Sequence, residues 1–174
     1  MIKILKLDHR PLRDKRITTH CALVSRAFNA DEFYYSGIED NVFEKNIISI
    51  SDQWGGKFNA KYIELPETFV DEFKGVIIHL TMYGEQIVEK IEFIKKDFKT
   101  KDLLIIVGGP KVDKFYYQKA NYNISVTNQP HSEVAALAII LNFLNPTALY
   151  VDKFKNNKIK LEPAEKGKKV ISLK

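Results

Sequence analysis

A chain of 174 residues with 45% hydrophobic content can bury one full core, so a single main domain is expected. No run of eighteen apolar residues occurs, and the amino end, Met1-Ile2-Lys3-Ile4-Leu5-Lys6, is too short and charged for a signal peptide, which argues against membrane association and for the cytoplasm. The formal charge of +5 (pI ≈ 9.1) favours a polyanionic partner, and the single cysteine, Cys21, excludes an internal disulfide framework and fits a reducing compartment.

The placement of charge says more than its sum. All four arginines, Arg10, Arg13, Arg16 and Arg26, lie within residues 10–26, and the rest of the positive charge is lysine. A chain that uses lysine wherever a solvated cation suffices points to a need for the planar guanidinium at these positions, where it can grip phosphate bidentately. A solvated basic loop without a ligand is the alternative.

In chain order, Ile2, Ile4, Leu5 and Leu7 read as a first strand, ended by Asp8-His9-Arg10-Pro11. After a charged loop over 12–17, Thr18 or Thr19 caps a helix running to about Asn29. Phe33-Tyr34-Tyr35 forms a second strand, 41–54 a helix stopped by Gly55-Gly56, and Tyr62-Ile63-Glu64-Leu65 a third strand closed by Pro66. A fourth strand spans 75–80, and a helix over 85–96 carries Ile87, Val88, Ile91 and Ile94 on one face. Leu103 to Val107 is an unbroken apolar, β-branched run of the kind buried in a parallel sheet. An irregular or helical piece through Phe115-Tyr116-Tyr117 leads to a strand over 122–126 and a helix over 132–144. This β-α alternation predicts an α/β fold with a mostly parallel sheet covered by helices on both faces. Residues 153–174 carry eight lysines against two glutamates, and 158–161 and 170–173 alternate about a turn near Glu165-Lys166-Gly167. The expected organisation is a core over 1–150 and a basic carboxyl-terminal β-hairpin over 151–174.

Several familiar sites are missing. The sequence has no Gly-x-Gly-x-x-Gly and no Gly-x-x-x-x-Gly-Lys-Ser/Thr, so an ordinary dinucleotide fingerprint and a P-loop both fail. His9, His20, His79 and His131 show no metal spacing, so no metal is expected. His131-Ser132-Glu133 resembles a triad only in letters, because consecutive helical side chains diverge. What remains is a pocket built from backbone at strand ends, where an α/β sheet places its ligand. Gly108 and Gly109 allow close approach and unusual φ after strand 103–107, Leu80 and Thr81 end its neighbour, and Asn128 to Ser132 offer oxygens and amides at the start of helix 132–144. Each taken singly is compatible with a plain turn or helix cap. Helix 132–144 lacks a polar stripe from Val134 to Leu141, which is compatible with a buried core helix or with a second subunit packed on it.

Three stretches closely resemble one family. They are residues 5–20 (Leu5-Lys6-Leu7-Asp8-His9-Arg10-Pro11-Leu12-Arg13-Asp14-Lys15-Arg16-Ile17-Thr18-Thr19-His20), 79–84 (His79-Leu80-Thr81-Met82-Tyr83-Gly84) and 128–138, which opens Asn128-Gln129-Pro130-His131-Ser132-Glu133. The sequence is similar to the archaeal tRNA (cytidine(56)-2′-O)-methyltransferases of the SPOUT superfamily. Asp8 and Thr127 stand where that pattern has a small residue, often glycine.

The resemblance implies a SPOUT fold with a carboxyl-terminal trefoil knot, a homodimer, and S-adenosylmethionine held by three loops. These loops fall at Leu80; at Gly108, Gly109, Pro110, Lys111 and Val112; and at Val126, Thr127, Asn128, Gln129, Pro130, His131, Ser132 and Glu133. The implied substrate is the 2′-hydroxyl of the T-loop cytidine of tRNA. Related ribose methyltransferases place a polar residue six positions before a catalytic arginine, a spacing matched by His20 and Arg26. That likeness casts Arg26 as the group that orients the hydroxyl and stabilises the developing alkoxide, with a nearby phosphate as the candidate to take the proton. Arg10, Arg13, Lys15 and Arg16 are the expected phosphate contacts. The alternatives are a SPOUT enzyme acting at another tRNA or ribosomal RNA position, and a non-catalytic RNA-binding module of the same fold.

Overall fold

The computed structural model describes residues 1–13, 16–109, 111–149 and 154–173. Six strands form one parallel sheet: β1 (Ile2–His9), β2 (Glu32–Gly37), β3 (Ala60–Tyr62), β4 (Gly75–Gln86), β5 (Asp102–Val107) and β6 (Tyr122–Ser125). Their spatial order is β3-β2-β1-β5-β4-β6, with every pairing parallel. The central strand β5 alternates its side chains between two cores. Leu103, Ile105 and Val107 join Ile2, Ile4, Val76, Ile78 and Leu80 on one face, whereas Leu104 and Ile106 join Leu5, Leu7 and Ile77 on the other. A strand buried on both sides must be apolar throughout, which is why this run shows no alternation.

The first face is covered by α1 (Ile17–Ala27), α2 (Asn41–Trp54), α4 (Ile87–Phe98) and α6 (Glu133–Leu144), and the second by α3 (Pro66–Glu72) and α5 (Lys114–Lys119). Among the described residues no helix is long and apolar enough to cross a membrane. Strands β7 (Ile159–Glu162) and β8 (Lys169–Ser172) pair antiparallel as a separate two-stranded sheet. The segment leading into that hairpin lies on the end of α2, where Gly56 N donates to Lys155 O and Lys158 N to Gln53 O. The expected division at 150–151 falls outside the described residues.

Four local expectations differ from the structure. Helix α1 starts at Ile17 with Arg16 in the cap position, because the Thr18 hydroxyl is engaged by the His9 ring and caps nothing. Strand β3 is shorter and earlier than 62–65, and Pro66 opens α3, a helix absent from the sequence reading. Proline at a first helical position starts a helix as readily as it closes a strand. Strand β4 continues past Leu80: its pairing with β6 breaks between Leu80 and Glu85, and residues 81–84 leave the ladder before Gln86 meets Ser125. Finally, neither Gly108 nor Gly109 has a positive φ; Gly108 is required for space, since a Cβ there would run into Val112 Cγ2.

Candidate active site

The carboxyl ends of β1, β4, β5 and β6 open into a cleft of about 440 Å³, a size typical of small-ligand sites. The expected cofactor residues Leu80, Gly108, Gly109, Val112, Val126, Pro130, His131, Ser132 and Glu133 all line it, as do Arg10 and Arg13. Lys111, Thr127, Asn128 and Gln129 do not, and neither does Arg16. Pro110 and Lys15 lie outside the described residues. Asn128 instead ties its loop to the far part of β4: its Nδ2 donates to Met82 O at 2.7 Å and Gly84 O at 3.3 Å. Ser132 caps α6, accepting from Ala135 N at 3.1 Å.

Parts of the wall are residues not named among the expected site residues. Lys6, at the inward-facing end of β1, is 4% exposed; its Nζ donates to Leu7 O at 2.6 Å and stands 3.2 Å from Glu133 Oε2. Glu133 is the first residue of α6, where the helix amino end favours a carboxylate. The cleft therefore has an internally neutralised ion pair at its base and two arginines at its rim. Asp8, beside them, adopts φ 59°, and its carboxylate pairs with Arg10 at 3.3 Å. Cys21 lies beneath; burial first, then the Glu133 charge, push its thiol up to about 12, so it stays protonated and inert.

His79, on β4, is 1% exposed and also lines the cleft. Its Nδ1 meets Asn123 Oδ1 at 2.9 Å, while Asn123 Nδ2 donates to Tyr117 O at 2.9 Å. The amide orientation makes Oδ1 the acceptor, so Nδ1 carries the hydrogen. Burial holds the ring below the usual imidazole range, and it is neutral. Tyr117 packs edge-on to this ring at 4.5 Å and meets Thr81 Oγ1 through its hydroxyl at 3.1 Å.

Arg26 sits elsewhere. Helix α1 begins at the cleft with Ile17 and Thr18 and runs away from it, carrying Arg26 about 12 Å along the axis from Thr18. Arg26 is 9% exposed; its Nη2 donates to Gly55 O at 2.7 Å, and its guanidinium lies 4.1 Å from the Phe154 ring centroid. His20 is exposed on the same helix. Within one chain, then, Arg26 does not line the cleft. Among the described residues no cluster of three or more His, Cys, Asp or Glu side chains is placed to hold a metal.

The residues present fit S-adenosylmethionine. Gly108 gives a turn without side-chain bulk, Leu80, Val126, Ile124 and Ala136 give an apolar wall, and the capped start of α6 gives polar backbone beside it.

The fold is that of the SpoU-type RNA methyltransferases. The SpoU methyltransferase AviRb from Streptomyces viridochromogenes, solved with its cofactor AdoMet, superposes with a TM-score of 0.59 at 14% identity, covering 86% of this chain and 58% of that one. A family model described as "tRNA ribose 2'-O-methyltransferase, aTrm56" matches residues 54–171. The tRNA (cytidine(56)-2'-O)-methyltransferase of Thermococcus kodakarensis is 47% identical over 99% of this chain and 98% of its own length. Its counterpart in Methanocaldococcus jannaschii is 45% identical over 98% of this chain and 96% of its own length. The chain belongs to the aTrm56 family of tRNA ribose 2′-O-methyltransferases.

Proposed function

We propose that this protein transfers a methyl group from S-adenosylmethionine to the 2′-hydroxyl of cytidine 56 in the T-loop of tRNA. The observation that carries the reading is the meeting of Leu80, Gly108, Val126 and Ser132 with Arg10 and Arg13 in one cleft, inside a chain of this family. The cofactor, when bound, supplies an electrophilic methyl group. The loops 108–112 and 126–133 with Leu80 hold it; Arg10 and Arg13, joined by Lys15 and Arg16, bind the phosphates flanking the target. The ribose is taken from a single-stranded loop context, where an unstacked base can be splayed out and its sequence position read. The same reading includes the trefoil knot.

The protein acts as a homodimer. Ala138 and Ile139 of α6 remain partly uncovered in one chain, with Ile139 38% exposed, which supports a second copy packing there. Arg26 serves the cleft of that second copy, orienting the hydroxyl and stabilising the developing alkoxide; its distance from its own cleft supports this assignment. In the test, tRNA transcripts carrying cytidine or 2′-O-methylcytidine at position 56 are incubated with labelled S-adenosylmethionine. The cytidine transcript takes up about one methyl per molecule and the premethylated one none. Equal labelling of both would assign the enzyme to another position, and cofactor binding with no labelling of either would leave an RNA-binding module.

A further inference from the structure

The chemistry of ribose methylation needs a destination for the hydroxyl proton, and an arginine, already a cation, is a poor one. A second group at the cleft can supply it. Thr18, in the first turn of α1, is 1% exposed and lines the cleft. Its Oγ1 lies 2.8 Å from Nδ1 of His9, and the other ring nitrogen of His9, Nε2, lies 3.4 Å from Asp40 Oδ2. Nothing in the mechanism so far uses this row of three.

Its construction is specific. His9 is 2% exposed, held edge-on against Tyr35 with centroids 5.3 Å apart and tilted against Phe43 at 5.6 Å. The backbone that carries it is gripped by β2: Ile38 N donates to His9 O at 3.0 Å, and a Cβ on Gly37 would fall 2.6 Å from His9 N. Asp40 caps α2, with Oδ1 accepting from Val42 N at 3.0 Å and Phe43 N at 2.9 Å, which leaves Oδ2 for the ring. Those amides, Phe43 foremost, hold its carboxyl below the usual range, so it is an anion. Among the described residues, the charged and titratable groups facing His9 are these. Helix α2 presents Asp40 and, behind the Tyr35 hydroxyl at 3.0 Å, Glu44; β2 presents Tyr35; α1 presents Thr18; the Asp8–Arg10 pair adjoins it in the chain.

We propose that Thr18 receives the ribose 2′-hydroxyl proton and passes its own to His9, with Asp40 stabilising the imidazolium that results. This rests on the methylation reading above. With Asp40 as the acceptor for Nε2–H, Nδ1 carries a lone pair and the Thr18 hydroxyl donates to it. As the 2′-hydroxyl proton moves to Thr18 Oγ1, the Thr18 proton moves to Nδ1. The pair left on the ribose oxygen forms the bond to the methyl carbon, and the pair of the broken carbon–sulfur bond stays on sulfur. Threonine ends neutral, and the new charge on His9 faces Asp40. Thr18 is the group that touches substrate, and His9 and Asp40 act through it.

Two measurements test this. In the free wild-type protein at alkaline pH, 15N NMR of the imidazoles should show His9 as the Nε2–H tautomer; an Nδ1–H tautomer, which would donate to Thr18, overturns the proposal. Single-turnover methylation should fall by about 10² in Thr18→Val and be restored in Thr18→Ser, the range general base catalysis supplies. Kd values for S-adenosylmethionine and tRNA should hold in both, and the acid limb of the wild-type pH profile should be absent from Thr18→Val. A Thr18→Val enzyme with the wild-type rate and acid limb overturns the relay, as does one that fails by losing cofactor or tRNA affinity. If wild-type protein binds the cofactor yet leaves cytidine 56 unmethylated, the methylation reading fails instead, a result the tautomer measurement does not share.

Discussion

Gly108 and Gly109 show how differently two adjacent, chemically identical residues can be constrained. A Cβ on Gly108 would strike Val112 Cγ2, a stiff β-branched side chain that can retreat only by moving the loop 108–112. One on Gly109 would stand 3.6 Å from Glu133 Oε1, an ordinary contact. Gly108→Ala is therefore expected to weaken S-adenosylmethionine binding by about tenfold or more, roughly 1.4 kcal/mol, in isothermal titration. Gly109→Ala should leave the thermal unfolding midpoint unchanged; equal cofactor binding by wild type and Gly108→Ala would contradict this reading. The glycine pair was visible in the sequence because glycine after a buried strand is a recognisable signal. Lys6, His79 and the His9–Thr18–Asp40 row were not. Lys6 and His79 sit inside strands whose apolar neighbours set the pattern, and the three members of the row are brought together only by the pairing of β1 with β2 and the start of α2.

At the scale of elements, α6 joins fold and site. Its Leu137, Ile140 and Leu141 are fully buried, and its first turn is held by the Ser132 cap and by Glu133 against Lys6. Removing Glu133 leaves the Lys6 ammonium at the base of the cleft with the Leu7 carbonyl but without an opposite charge. Because Glu133 keeps 20% side-chain exposure, Glu133→Ala is expected to lower stability in urea by about 2 kcal/mol, below the range for fully buried pairs. The double variant Lys6→Met, Glu133→Leu should recover most of that loss, since an apolar pair of similar volume needs no desolvation. A double variant no more stable than the single one would show that the ion pair itself, and not its burial, matters. The helices and strands that carry sustained periodicity were legible from residue spacing. The seven-residue α3 was not, being too short for a helical period and opened by a proline that equally well ends a strand.

For the molecule as a whole, alternation of strands and helices was enough to give a parallel sheet covered on both faces. The order of its strands was not, because β5 enters between β1 and β4 through contacts distant in sequence. The consequence is functional: that insertion brings Val107 and Gly108 beside the ends of β1 and β4, and so makes the cleft. It also leaves Arg26 at the far end of α1, bound to Gly55 O and stacked on Phe154. On the proposed reading, a complete site combines the cleft of one protomer with Arg26 of its partner. Mixed dimers of Arg26→Ala and Gly108→Ala protomers test this arrangement at S-adenosylmethionine well below the raised Kd of Gly108→Ala, where that homodimer keeps about a tenth of the wild-type rate and the Arg26→Ala homodimer is inactive. In the mixed dimer the Arg26→Ala protomer keeps its cofactor loops and faces an intact Arg26, so methylation of cytidine 56 should return to about half the wild-type rate, one working site of two. Mixed dimers no more active than the Gly108→Ala homodimer would place Arg26 and the cofactor in the same chain, and would contradict the composite site.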